Sequence, residues 1–205
     1  LSMSDASDVF FDPTRQVYAW YGKMWIDGPD GRMGWKHAMG RTESTDFINW
    51  TTPQLVCAPD DNDLPHVEFH TTPVFYHQGL YLCLNQLLNR AEDGGVISIE
   101  LMLSPDGLNW NRPFRNTFFL ARGDSGNFDS GSIFTNATPV ILEHEIRFYY
   151  GAYSSGATGA NNDEQKSGVG LATLPKDRFA CIAPLPKSDL PTQQEPLENI
   201  GQITL

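Results

Sequence analysis

Two stretches of this 205-residue chain spell one pattern. "STDFINW" (Ser44 to Trp50) and "SPDGLNW" (Ser104 to Trp110) both read Ser-x-Asp-x-x-Asn-Trp, 60 residues apart. An internal repeat constrains a fold more than composition does, because each copy must form the same small unit and the units must stack. A second set of segments interleaves with the first: "DVFFDPTRQVYAWYG" from Asp8, "TPVFYHQGLYLCLNQ" from Thr72 and "TPVILEHEIRFYYGA" from Thr138. Each has an apolar strand, a short polar turn and a strand rich in aromatics, which is a β-hairpin pattern. Val9, Val74 and Val140 mark the same point in the three segments.

The order is constant: hairpin, third strand, Ser-x-Asp turn, fourth strand, next hairpin. Each unit holds about four strands in 60-odd residues, the period of a β-propeller blade. Helical periodicity is absent; "LCLNQLLNRAED" reads as a strand running into a loop. The third copy, "SGVGLATLPKDRFACI", keeps the strand and turn but lacks the Trp. The Asp of the repeated motif is expected to hold the turn by accepting backbone amides, with the Trp packed between blades. The fold expected is all-β, a propeller of four-stranded antiparallel blades. About three blades are present, and propellers close with about four to eight. Residues 1–183 would form the blades. Residues 184–205, rich in Pro and polar residues, would be a linker entering a further β segment. Missing N-terminal blades or a partner chain would complete the ring.

Net charge is −11 and the Lys and Arg residues form no run, which argues against nucleic acid as a partner. No apolar run approaches the roughly 18 residues of a membrane-crossing helix. Cys57, Cys83 and Cys181 form neither a zinc pattern nor a disulfide framework, and Cys83 reads as core. No cofactor or metal is expected. The compartment stays open: secreted or periplasmic if the native N-terminus precedes Leu1, cytoplasmic otherwise.

Taken together, "DVFFDPTRQVYAWY", "GRTESTDFINWTTPQLVCAPDDND", "VEFHTTPVFYHQGLYL", "LMLSPDGLNWNRPF", "GDSGNFDSGSIFTNATPVI", "EIRFYYGAY" and "VGLATLPKDRFACI" resemble the five-bladed propellers of glycoside hydrolase families 32, 43 and 68. The resemblance is strongest to uncharacterised bacterial proteins related to them. It implies a five-bladed ring, a carbohydrate substrate and catalysis by acidic residues on the innermost strands. Glycoside hydrolysis needs one carboxylic acid to protonate the leaving oxygen and a second carboxylate as base or nucleophile. Asp8, Glu68 and Asp129 precede or open the three innermost strands at spacings of 60 and 61, as if equivalent. Glu68, between His66 and His70 in a partly apolar strand, is the candidate general acid, its pKa expected to be raised by burial. Asp129 and Asp8 are candidates for base or nucleophile and supporting carboxylate. The Asn-Asp-Pro-Asn-Gly box of family 32 is absent; "FFDPT" keeps only Asp-Pro, and Asp12 is expected to turn the hairpin.

Four residues are candidates for substrate binding. His66 and His70 would share a strand face with Glu68. Asp124 lies in the glycine-rich "GDSGNFD" loop, and Trp20 offers an aromatic surface for sugar stacking. The rival readings are a non-catalytic propeller that binds glycan or protein, and a structural subunit of a larger assembly.

Overall fold

The computed structural model describes residues 7–92, 94–115, 117–136, 138–157, 164–183 and 202–204. Among these every regular element is a strand. Blade 1 is a four-stranded antiparallel sheet of β1 (Ser7–Asp12), β2 (Val17–Ile26), β3 (Lys36–Ser44) and β4 (Gln54–Cys57), in that order. In blade 2 the innermost strand is broken: β5 (Val67–Phe69) and β6 (Val74–His77) both pair with β7 (Leu80–Asn89), which pairs with β8 (Val96–Ser104). Blade 3 repeats the break, with β9 (Ser132–Thr135) and β10 (Val140–Ile141) both against β11 (Glu145–Tyr153), followed by β12 (Ser167–Pro175).

The expected four strands per blade hold fully only in blade 1. The fourth line of blade 2 is reduced to two bridges, Leu103 to Asn111 and Ile99 to Leu120. Between them the chain leaves the sheet, and Arg112 and Arg115 turn to meet Asp63 and Asp60. In blade 3, β13 (Cys181–Ala183) pairs not with β12 but with β14 (Gln202–Thr204). The rest of the proposed linker, 184–201 and 205, lies outside the described residues.

Two apolar layers hold the blades together. Ala19, Tyr21 and Met39 of blade 1 pack on Val74, Tyr81, Cys83 and Met102 of blade 2. Phe75, Leu82, Leu84, Ile99 and Leu101 of blade 2 pack on Ile146, Phe148 and Ala152 of blade 3. β7 is therefore buried on both faces, which is why "LYLCLNQLL" is almost continuously apolar and shows no strand alternation.

The repeated turn is built twice in the same way. Asp46 Oδ1 accepts from the amides of Ile48 and Asn49 at 2.9 and 2.7 Å, and Asp106 Oδ1 from those of Leu108 and Asn109 at the same distances. Ser44 and Ser104 donate to these carboxylates, and Asn49 and Asn109 close the other oxygen. Asp12 likewise holds the first hairpin through the amides of Thr14 and Arg15. The third turn differs: Asp177 itself is left-handed, with φ 62°, and its carboxylate meets His77 Nε2 at 2.6 Å.

Candidate functional site

Antiparallel order puts the β2–β3, β4–β5, β7–β8 and β11–β12 connections at one end of the blades and the hairpins at the other. The candidate acids lie toward the first end, near the N-termini of the innermost strands. Glu68 is the middle residue of β5 and is buried, 3% exposed. His37, from the start of β3 in blade 1, donates its amide to Glu68 Oε2 at 3.1 Å, and its ring Nδ1 lies 3.0 Å from Oε1. An ionised carboxylate only accepts, so Nδ1 carries the proton. Arg90, just after β7, adds its Nε at 2.6 Å to Oε1. Burial alone would raise the Glu68 carboxyl, but the hydrogen bonds from His37 and Arg90 outweigh it and bring the pKa down to about 2. The expectation of a raised pKa is thus reversed. These surroundings favour the ionised carboxylate, whereas the general-acid role expected of Glu68 calls for a protonated one.

The rim of this cage is aromatic and cationic. The Trp25 ring lies 3.6 Å from that of His37, and both Trp25 and Arg90 are about half exposed. Lys36 Nζ sits 4.6 Å over the Trp35 ring. Sequence reasoning missed His37 and Arg90. Neither stands in a motif: His37 reaches Glu68 only because blade 1 packs on blade 2, and Arg90 only because β7 pairs back on β5.

The other candidates are spread out. Asp8, in β1 opposite Tyr21, is half-buried, and loss of solvation pushes its pKa up to about 6. It is close enough to Cys83 to act on that thiol electrostatically. Asp129 accepts a hydrogen bond from Tyr150 Oη at 3.0 Å. A Cβ on Gly123 would fall 2.1 Å from Asp129 Oδ1, so this glycine makes room for the carboxylate. Asp124 is exposed and its carbonyl closes a turn to the Asn127 amide at 3.0 Å. His66 is exposed, just outside β5. The ring of His70 rests 5.6 Å from that of Phe134, with Nδ1 3.1 Å from Thr71 Oγ1. Trp20 packs edge-on against Trp50, at 5.5 Å, on the outer face of blade 1.

Strand register overturns the equivalence of Asp8, Glu68 and Asp129. Tyr18 pairs with Ser44 and Tyr81 with Ser104, so Tyr21 corresponds to Leu84. Asp8, opposite Tyr21, therefore corresponds to Pro73, whose carbonyl accepts from the Leu84 amide. Glu68, opposite Leu88, corresponds to Ser132, opposite Tyr153. Asp129 lies before β9. The strand break at 70–73 and unequal hairpin turns displace the count, so equal spacing does not give equal position. The same register moves Val140 to the place of Phe75, while Val9 and Val74 do correspond. Among the described residues, no two of the three acids share a hydrogen-bond partner, and no group of three or more His, Cys, Asp or Glu side chains is placed to hold a metal ion.

No protein-family model and no curated protein sequence matches the chain. Solved structures do. One described as a glycoside hydrolase matches with a TM-score of 0.62 at 13% identity, over 84% of this chain and 46% of that one. A family 117 glycoside hydrolase from the marine bacterium Zobellia galactanivorans matches with a TM-score of 0.64 at 15% identity, over 86% of this chain and 53% of that one. BT0996, solved as an RGII complex, gives 0.60 at 13% identity, over 84% and 46%. The chain spans about half the length of these structures. Likeness at such identity establishes the fold, an antiparallel β-propeller.

Proposed function

We propose that the chain carries part of the active site of a glycoside hydrolase, acting on carbohydrate through carboxylates at the channel mouth. The observation that carries this reading is Glu68: a carboxylate buried at the head of an innermost strand, fixed by His37 and Arg90, with the half-exposed Trp25 against the His37 ring, in a fold similar to glycoside hydrolases. Its surroundings suit it to remain anionic and stabilise positive charge on the sugar ring or hold Arg90 toward substrate. Asp8, with a pKa of about 6, is the better proton donor, and Asp129 is the remaining candidate base or nucleophile.

The test is a screen of aryl glycosides and polysaccharides with the complete natural polypeptide, beside Asp8→Asn, Glu68→Gln and Asp129→Asn. Loss of about 100-fold or more in kcat for Asp8→Asn would support its role as acid. Unchanged turnover in all three variants would remove these carboxylates from the chemistry. One observation favours the non-catalytic glycan-binding reading: Oε1 and Oε2 of Glu68 are both engaged already. That reading predicts polysaccharide binding by calorimetry without turnover.

A further inference from the structure

The layer between blades 2 and 3 is less completely filled than the layer between blades 1 and 2. A cavity of about 130 Å³ lies within it, walled by Leu84, Ile99, Leu120 and Leu174 and by the rings of Phe119 and Phe148. Its lining includes none of the candidate site residues. Register explains the space. Phe47, Gly107 and Asp177 hold the same left-handed place after the third strand, so Ser44, Ser104 and Leu174 correspond. Leu84 therefore stands where Tyr21 does, and Ala172 where Met102 does, and each is the smaller residue. Tyr21 and Met102 are fully buried between blades 1 and 2. Phe148, in place of Cys83, is the larger of its pair, but its ring is held edge-on to Phe119 at 5.4 Å and walls the space instead of filling it. The fourth line of blade 2 meets β8 only at its two bridges, so Phe119 and Leu120 alone close that side.

One polar atom is unmet at this wall. Thr135 of β9 lines the cavity, and its Oγ1 is buried without a hydrogen-bond partner among the described residues, while its carbonyl accepts from Gln86 Nε2. A buried hydroxyl left unpaired destabilises a fold, and a single hydroxyl does not hold a water, which needs about two to four polar partners. Apolar cavities of about this size, walled by Leu, Ile and Phe, take up a benzene ring. We propose that the cavity between blades 2 and 3 is a binding site for one small uncharged molecule, a single ring bearing a hydroxyl. The ring packs on Phe119 and Phe148, and the hydroxyl pairs with Thr135 Oγ1. A charged ligand does not fit, because no ionisable side chain lines the wall. Thr173, the exposed residue of the lining, gives the ligand a way in. The inference rests on packing and register, and holds whether or not the carboxylates are catalytic.

Calorimetry and thermal denaturation of the complete natural polypeptide, with phenol and with benzene, test it. Phenol is expected to bind once per chain and to raise Tm with its concentration. Benzene should bind about 3–10-fold more weakly, for want of the hydroxyl. Thr135→Val keeps the shape of the wall and should remove the preference for phenol. Ala172→Met supplies the residue of the counterpart position, fills the cavity and should weaken both probes at least about 10-fold. Leu84→Phe repeats that arm should Ala172→Met fail to fold. Absence of saturable binding by either probe would overturn the proposal. So would phenol binding left unchanged by the filling variants, which would put the ligand elsewhere. Equal affinity for phenol and benzene in the unsubstituted protein would overturn the pairing with Thr135.

Discussion

Asp8 and Glu68 are both carboxylates on innermost strands, yet their surroundings move them in opposite directions, and each direction has a sign in the pH dependence of stability. Asp8 titrates near 6 when folded and near 3.8 when free. Between those values the unfolded chain releases its proton first, so folding weakens as pH rises from about 4 to 6 and the full penalty stands above 6. Asp8→Asn removes it, and urea titration should show a gain of about 1–2 kcal/mol at pH 7, discounted for partial solvation, with none near pH 3. Glu68 is the reverse: about 2 when folded against 4.5 when free, so its contribution stands above 4.5 and is lost as pH falls toward 2. Glu68→Gln should lower stability by about 2–3 kcal/mol at pH 7 and by progressively less below pH 4. The sequence singled out Glu68, but the partners that set its ionisation are 31 and 22 residues away. His37 arrives because one blade packs on the next and Arg90 because β7 folds back on β5, and no local pattern encodes either.

At the scale of the strand and turn, the Ser-x-Asp-x-x-Asn-Trp unit was legible because its interactions are local: every bond of the Asp carboxylate lies within three residues. The departures arise where a strand answers to more than its own sequence. The repeat predicts a fourth strand in blade 2, but there Arg112 and Arg115 meet acids of the preceding connection and the strand is reduced to two bridges. The turn itself holds a finer difference. Phe47 and Gly107 occupy the same left-handed position, with φ of 63° and 73°. A Cβ at 107 would fall 2.7 Å from the Tyr21 hydroxyl and 3.2 Å from the Tyr81 ring, where blade 1 closes on blade 2. The Tyr21 hydroxyl also donates to the Gly107 carbonyl at 2.7 Å. Gly107→Ala therefore adds backbone strain to the loss of an inter-blade contact, and should lower stability by about 2–3 kcal/mol. Asp106→Ala, which loosens the exposed turn alone, should cost about 1–2 kcal/mol. Thermal denaturation of both variants checks the order, and a smaller effect at Gly107 would mean that the blade contact yields easily.

Across the whole molecule, the number and order of blades followed from the repeat, whereas the charges that tie them are contacts between distant residues. At the hairpin end Tyr81 donates to the fully buried Asp12 of blade 1 at 2.8 Å, and His77 meets Asp177 of blade 3. At the site end Arg112 binds Asp63 with both terminal nitrogens at 2.6 Å and Glu100 through Nε at 2.9 Å, with all three side chains under a tenth exposed. This joins the connection between blades 1 and 2 to β8. Burial alone would raise the Asp63 carboxyl, but the hydrogen bonds and charge of Arg112 hold it down. Arg115 pairs chiefly with Asp60, whose carboxylate is 46% exposed, and makes a longer contact of 3.3 Å with Asp63. The two arginines separate burial from pairing. Arg112→Ala leaves the buried Glu100 with only the Asn85 amide and Asp63 with only the longer contact to Arg115, and should cost about 3–5 kcal/mol. Arg115→Ala breaks the solvated pair with Asp60 and leaves Asp63 still held by both terminal nitrogens of Arg112, so it should cost only about 1 kcal/mol. Urea midpoints at pH 7 measure the contrast, and m-values equal to the parent's would place the change in the folded state. Lowering the pH toward 3 should shrink the Arg112→Ala deficit, because Asp63, no longer held down by Arg112, takes up its proton at higher pH in the variant than in the parent. A deficit that persisted unchanged at low pH would assign the role of Arg112 to its packing over the Phe69 ring, 5.0 Å away.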